Sequence, residues 1–321
     1  MAPSNGGLVE EVIDPAEAAL TSAFISFLES ASRRRHPTGP VQRFNQGRAA
    51  GCVEAEFIVP ADLPPALRVG LFAAPGSYRA FIRFANASSA TDREKDVRGM
   101  SIAVADVPGE NLTPGATSQE FVLNSHPVMV APDAKEFLAF LEANEAGGLR
   151  RVVYFATHPA LARIGLAARQ NPSCHLDIPY WSATPYLFGT GRAVKYIVRP
   201  RSGRTSATPA NLTDDYLSEA FRKHLNEAEA AFDFAVQFQT DPERMPIEDA
   251  TVEWKEQESP FVPVARIRIP RQQLAASGTG SCEAAAFNPW HALVEHRPLG
   301  SLNRARRAIY PALSAFRRAH A

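Results

Sequence analysis

The sequence predicts an α+β fold in which about eight short antiparallel strands form a barrel or a strongly curved sheet, with helices packed around it. Two observations lead there. Runs at 52–59, 79–84, 100–107, 119–124, 193–198, 232–240, 251–254 and 262–269 alternate apolar and polar residues or carry β-branched residues, and Pro, Gly and Asp separate them. Between and around them, longer segments repeat their apolar residues at helical spacing. A third observation bears on domains. The Pro/Ser/Gly-rich stretches at 200–211 and 275–281 have strands that need partners on either side, so they read as surface loops within one domain.

The first helix is expected over Asp14–Ser30, where Asp14 can cap, Pro15 suits the first turn, and Ala, Leu, Phe and Ile recur on one side. Its end runs into Arg33-Arg34-Arg35, where cations meet the negative end of the helix dipole. This makes 1–39 an N-terminal helical arm and 40–321 the main domain. Within that domain Lys135–Ala146 and Arg150–Arg169 have helical periodicity, and Asp214–Ala230 follows a potential Thr213 cap. Leu302–Arg318 reads as the last helix from its Ala, Leu and Arg content.

Composition narrows the function classes. With 321 residues and 45% hydrophobic content the chain can bury a substantial core. Lys+Arg 34 balances Asp+Glu 34, which gives no global field toward nucleic acid or an acidic surface. Cys52, Cys174 and Cys282 are odd in number, widely spaced and lack metal-ligand spacing, so unpaired cysteines in a reducing cytoplasm are expected. No apolar run approaches the ~18 residues of a membrane span, and no signal peptide is recognisable.

The most informative stretch lies in the last helix. Arg306, Tyr310 and Arg317 are four and then seven residues apart and share one face at about 3.6 residues per turn. A guanidinium beside a phenol favours its anionic form, and a tyrosinate is one of the few protein groups that ligate heme iron. Packing plus a solvated charge explains the same pattern when it is taken alone.

Other segments give that pattern a context. In order they are Arg43-Phe44-Asn45-Gln46 with Gly51; Phe81–Ser88; Asp96-Val97-Arg98-Gly99-Met100-Ser101-Ile102; Phe121–Met129; Ser259–Ala265; Phe287-Asn288-Pro289; and Arg306–Tyr310. Together they resemble the catalase superfamily in its small, core-only form. The resemblance spans about residues 40–318 and implies a catalase-type β-barrel with associated helices and heme buried between barrel and C-terminal helix. It implies heme b with ferric iron held by Tyr310, with Arg306 keeping that ligand ionised. Arg43, Arg83 and Arg317 match propionate-binding positions, a task that suits a planar fork of donors. Asn124 matches the distal asparagine, and Met129 and Val130 fall where the family has bulky distal aromatics. With Ala85 and Ala87 nearby, they imply a wider pocket.

One departure decides the expected chemistry. The family's distal histidine slot holds Gln46. A carboxamide orients a peroxide through hydrogen bonds but has no accessible pKa for moving its proton. His126 is the alternative base, because an extended segment would point Asn124 and His126 the same way; a structural histidine before Pro127 is the other reading. The resemblance therefore implies an oxidoreductase acting on peroxides or organic (lipid) hydroperoxides with weak or no catalase activity. A heme carrier or sensor, or a specialised biosynthetic heme oxidase or isomerase, stands as the alternative. Expected partners are a hydroperoxide or other small organic substrate and a homodimer or other homo-oligomer, without nucleic acid or a membrane span.

Overall fold

The computed structural model describes residues 9–201, 207–274 and 285–320. Its elements run α1 (Glu17–Arg35), β1 (Ala49–Val59), β2 (Gly76–Asn86), β3 (Arg98–Val104), β4 (Gln119–Asn124), α2 (Ala134–Ala146), α3 (Gly148–Thr157), α4 (Pro159–Ala168), β5 (Tyr180–Trp181), β6 (Tyr186–Leu187), β7 (Ala193–Pro200), α5 (Tyr216–Glu227), β8 (Ala230–Phe238), β9 (Val262–Ile269) and α6 (Ser301–Arg318). The strands are antiparallel in the order β5-β4-β3-β2-β1-β9-β8-β7, and pairing of β5 with β7 closes the ring, with β6 as an added strand on β7. Closure removes exposed sheet edges.

Alternation along the strands sorts side chains between two faces. Phe57, Phe121, Tyr196 and Phe234 point inward and pack with ring centroids 4.8 Å (Phe121–Phe234), 5.0 Å (Phe121–Tyr196) and 5.2 Å (Phe57–Phe234) apart. A second apolar cluster lies outside the barrel, built from Phe24 and Leu28 of α1, Leu138 and Leu141 of α2, and Leu302, Ala305 and Ile309 of α6. At Gly51 the barrel wall takes α5 at close range: a Cβ there would sit 2.5 Å from the Phe221 ring, so β1 needs glycine at that point.

Several expectations change in detail. The 251–254 segment is a turn, not a strand: Asp249 Oδ1 accepts from Thr251 N at 2.9 Å and Thr251 Oγ1 at 2.6 Å, and this local turn replaces ladder pairing. Arg150–Arg169 forms two helices, because Pro159 has no N–H to continue α3 and its fixed φ suits the start of α4. Strands β5 and β6 are two residues each, too short to carry a period. Cys52 is disulfide-bonded, contrary to the expectation of unpaired cysteines, while Cys174 is a buried free thiol that burial pushes up to about 12. Cys282 and the whole 275–281 loop lie outside the described residues. A disulfide at Cys52 removes the compositional ground for a reducing compartment.

Thr213 does not cap α5. Asp92, distant in sequence, does: its Oδ2 accepts from Ser218 N and Ser218 Oγ, both at 3.0 Å. Its Oδ1 accepts from Asn86 Nδ2 at 2.8 Å and Arg48 Nε at 3.1 Å. Burial raises this carboxyl, but the bonds from Ser218, Asn86 and Arg48 outweigh burial and hold it below the usual range. Arg98, fully buried, joins the network through Asn86 and through the carbonyls of Glu94 (2.9 Å) and Gln170 (3.1 Å). Asp92→Ala leaves the buried donors of Ser218 and Asn86 without this acceptor, while Arg48 keeps Asp215, so it is expected to destabilise the fold by about 1–3 kcal/mol. Urea unfolding would show this as a lower midpoint at constant slope; a loss under 1 kcal/mol, by the net worth of a typical single hydrogen bond of about that size, would deny the network its role.

His296 fixes the stretch before β2 to the segment leading into α6. Its Nε2 accepts from Leu71 N at 3.2 Å, and burial pushes the imidazole down to about 4. The folded state thus prefers the neutral ring, so its contribution is complete above pH ~6.5 and is lost as pH falls toward 4. About 3 kcal/mol should disappear across that window, and His296→Asn should flatten the dependence. An unchanged slope in the variant would place the acid sensitivity elsewhere, His175 being the other histidine whose burial lowers it strongly.

Candidate active site

Strand register builds one wall of the site. Ala85, Gly99 and Asn124 are cross-strand neighbours on β2, β3 and β4, and Arg83, Ser101 and Val122 form the rung two residues along. Their neighbours Ile82, Phe84, Met100, Ile102, Phe121 and Leu123 fill the barrel core, so this set points outward. Arg83 is buried there at 1% exposure and has interaction partners, so the wall carries a sequestered cation.

Gln46 lies across this wall. Its φ is +57°, a left-handed conformation uncommon for a residue with a Cβ, and its N–H donates to Ala87 O at 2.7 Å. The side chain rests on Gly99, where a Cβ would come within 2.5 Å of Gln46 Nε2. Ser101 Oγ donates to Gln46 Oε1 at 3.4 Å. With its oxygen engaged, the Gln46 amide offers its N–H donors to a ligand. Asn124 does likewise: its Oδ1 accepts from His126 N at 2.9 Å, and among the described residues Nδ2 has only the weak acceptor Met129 Sδ, at 3.9 Å. Two carboxamides thus present donors along one outward wall.

Helix α6 is tied to the same side of the barrel. Asn288 N donates to Glu120 Oε2 at 2.5 Å, His291 Nδ1 lies 3.0 Å from Glu120 Oε1, and Trp290 Nε1 donates to Asn303 O at 2.7 Å. Met129 and Phe44 pack against the apolar cluster that includes Ala305 and Ile309 of α6, which brings the residues flanking Asn124 and Gln46 up to that helix. Arg304 locks the helix in place with bonds to Glu11 (2.7 Å), Glu17 (2.5 Å) and Glu248 (2.8 Å).

Arg306 and Tyr310 lie one turn apart on α6, both half-buried, despite Pro311 inside the helix. Arg306 Nη1 donates to Asn303 Oδ1 at 2.9 Å and Thr184 Oγ1 at 3.4 Å, which fixes the guanidinium, and Tyr310 Oη has no hydrogen-bond partner among the described residues. Beside them Tyr186 is fully buried; burial first raises it, Arg306 opposing and Tyr310 adding to the shift, and its Oη has no properly directed partner although Thr184 is adjacent. Arg317 is half-buried two turns beyond Tyr310, and Arg43 Nη2 donates to Ala285 O at 2.7 Å.

His126 is not placed by strand alternation. Strand β4 ends at Asn124, and the Asn124–His126 bond turns the chain. Burial lowers the imidazole, and Glu253 is the charge that acts on it. Thr184 and Asn303 are participants to which the sequence assigns no role, and Gly99 and Ser101 lie within the 96–102 motif without a role of their own. For Ser101 and Gly99 the signal was available, since alternation from Arg98 places both on one face.

The residues suit a ferric heme in donor chemistry. Among the described residues a phenol oxygen without a partner sits one turn from a fixed guanidinium and a buried hydroxyl without one adjoins it, small Ala85 and Gly99 keep the wall low, and a buried arginine supplies a cation for a carboxylate. A closed eight-stranded antiparallel barrel with a C-terminal helix laid along its outside defines a catalase-type α+β fold. A bacterial catalase superposes with a TM-score of 0.68 at 16% identity, covering 98% of this chain and 64% of its own. A fungal catalase gives the same TM-score and identity, covering 99% of this chain and 65% of its own. The chain therefore spans just under two thirds of the length of these catalases, and at this identity the likeness shows the fold. No family model matches the chain, and no curated protein matches its sequence.

Proposed function

We propose that this protein is a heme-dependent oxidoreductase acting on organic hydroperoxides, with little or no dismutation of hydrogen peroxide. Gln46 carries the reading: its carboxamide, bonded by Ser101 Oγ and lying over Gly99, would stand where the resemblance puts the proton shuttle. Tyr310 would hold the iron, with Arg306 one turn away on the same helix, and Arg43, Arg83 and Arg317 would receive the propionates. When bound, the heme supplies the redox chemistry for O–O cleavage.

The chain's own contribution is binding and orientation. The N–H donors of Gln46 and Asn124 hydrogen-bond to peroxide oxygens and align them, yet neither amide takes up a proton. Absence of a positioned general base costs about 10²–10⁴-fold, which falls on dismutation because that reaction needs a proton moved between the two oxygens. Met129, Val130 and Ala87 are half-buried and leave softer, smaller walls than aromatic rings, which suits an organic peroxide.

Protein purified with heme supplied is expected to give the spectrum of a tyrosinate-ligated ferric heme, to consume a fatty-acid hydroperoxide well above free hemin, and to release little oxygen from hydrogen peroxide. Vigorous oxygen release would overturn the reading of Gln46. Transfer of heme to an acceptor without turnover would instead identify a carrier.

A further inference from the structure

The hairpin of α3 and α4 stands apart from the site in both composition and exposure. Six large apolar side chains are exposed among the described residues, and four belong to this hairpin: Leu149 (78%), Val152 (64%) and Val153 (52%) on α3, and Leu166 (76%) on α4. Leu149, Val152 and Val153 are spaced three and four residues apart and form one stripe of α3. Only Tyr154 of α3 is buried, against Phe140 of α2 at 6.2 Å between centroids, so the helix spends its apolar residues outward.

The charge is equally one-sided. Residues 147–170 contain Arg150, Arg151, Arg163 and Arg169 and no Asp or Glu. Arg150, Arg151 and Arg163 are exposed, and their side chains make no ion pair or hydrogen bond among the described residues. Two of the three acids on the neighbouring α2 are already engaged: Glu136 accepts from Tyr154 Oη at 2.5 Å and lies 3.4 Å from His158 Nε2, and Glu145 is paired with Arg35 at 2.6 Å, which leaves exposed Glu142 as the one unengaged acid of that helix among the described residues. The chain as a whole is neutral, so this is a local cationic and apolar surface.

We propose that the α3–α4 hairpin docks on an anionic phospholipid bilayer. Apolar side chains enter the boundary between headgroups and acyl chains while the arginines meet the phosphates, the arrangement by which amphipathic helices lie in an interface. A second copy of the chain is a poorer occupant. Two-fold pairing of this face would set the arginines against one another with no acid to receive them. No helix of the described chain is long and apolar enough to cross a membrane, so the contact is peripheral.

Co-sedimentation with vesicles tests this on the full chain. Vesicles of equal parts phosphatidylcholine and phosphatidylglycerol should retain the protein at least about tenfold better than phosphatidylcholine alone, with retention falling as salt rises. The charge reversal Arg150→Glu/Arg151→Glu and the apolar truncation Leu149→Ser/Leu166→Ser should each weaken retention by about tenfold or more. These side chains are exposed, so thermal melts should stay at the wild-type value; the salt and lipid arms use the unaltered protein in any case. The proposal is overturned by absence of binding to the mixed vesicles, by variants that bind as well as wild type, or by a dimer that Leu149→Ser/Leu166→Ser dissociates without any vesicle binding.

Discussion

Tyr310→Phe is expected to abolish specific heme binding while leaving the fold intact. The substitution deletes one oxygen, and that oxygen has no hydrogen-bond partner among the described residues, so nothing buried is orphaned by its loss. Helix α6 is held by other groups: Arg304 through three carboxylates, Asn303 through Pro185 O (3.0 Å) and Leu299 O (3.1 Å), and the apolar run Leu302, Ala305 and Ile309. Melting of the heme-free variant should therefore match wild type. Loss of an outer-shell partner typically costs a metal site about 10–100-fold in affinity, and loss of the ligand itself should exceed that. A heme titration followed by absorption reads the effect. A variant that keeps the wild-type spectrum would move the ligand to another residue.

The barrel was legible because its long strands announce themselves. The expected limits of 119–124 and 262–269 match β4 and β9, where alternation decides which side chains face the core. Its closure was expected from the resemblance and could not come from periodicity. Two residues of β5 complete the ring by pairing with β4 and β7, and no periodicity exists in two residues. Segment 251–254 misled in the opposite direction, since Thr, Val and Trp suit a strand, yet the Asp249 carboxylate offered Thr251 a turn and Trp254 was buried under β7 instead.

The site divides in the same manner. Arg306 and Tyr310 could be placed on one helical face from spacing alone, and α6 keeps them there. Gln46 could be found only by its resemblance to a motif, because its position depends on a left-handed residue in an irregular segment and on a glycine 53 residues later in the chain. Alternation would place His126 beside Asn124 only if β4 continued, and the Asn124 side chain ends it. Short polar side chains that bond the nearby backbone account for two of these departures, at Asn124 and at Asp249, whereas the cap of α5 comes from Asp92, far away in sequence.

Gln46→His should restore what the wall lacks. Histidine is among the residues that tolerate left-handed φ, so a φ of +57° adds little strain beyond what Gln46 already bears. The ring occupies much the same space over Gly99, where absence of a Cβ leaves room for it. Ser101 Oγ, now 3.4 Å from the amide oxygen, is within reach of an imidazole nitrogen and would fix which nitrogen carries the proton. Asn124 keeps its donor, so the variant combines an orienting amide with a group that accepts and returns a proton near neutral pH. Oxygen evolution from hydrogen peroxide should rise by about 10²–10⁴-fold, the usual worth of a positioned acid/base, and turnover of the organic hydroperoxide should change less. The comparison requires the variant's heme spectrum to match wild type, which isolates the proton-transfer step from ligation. No gain under that condition would mean that residue 46 does not face the reacting oxygens, and the proton would then have to come from elsewhere on the wall, with His126 as the nearest imidazole in sequence to Asn124.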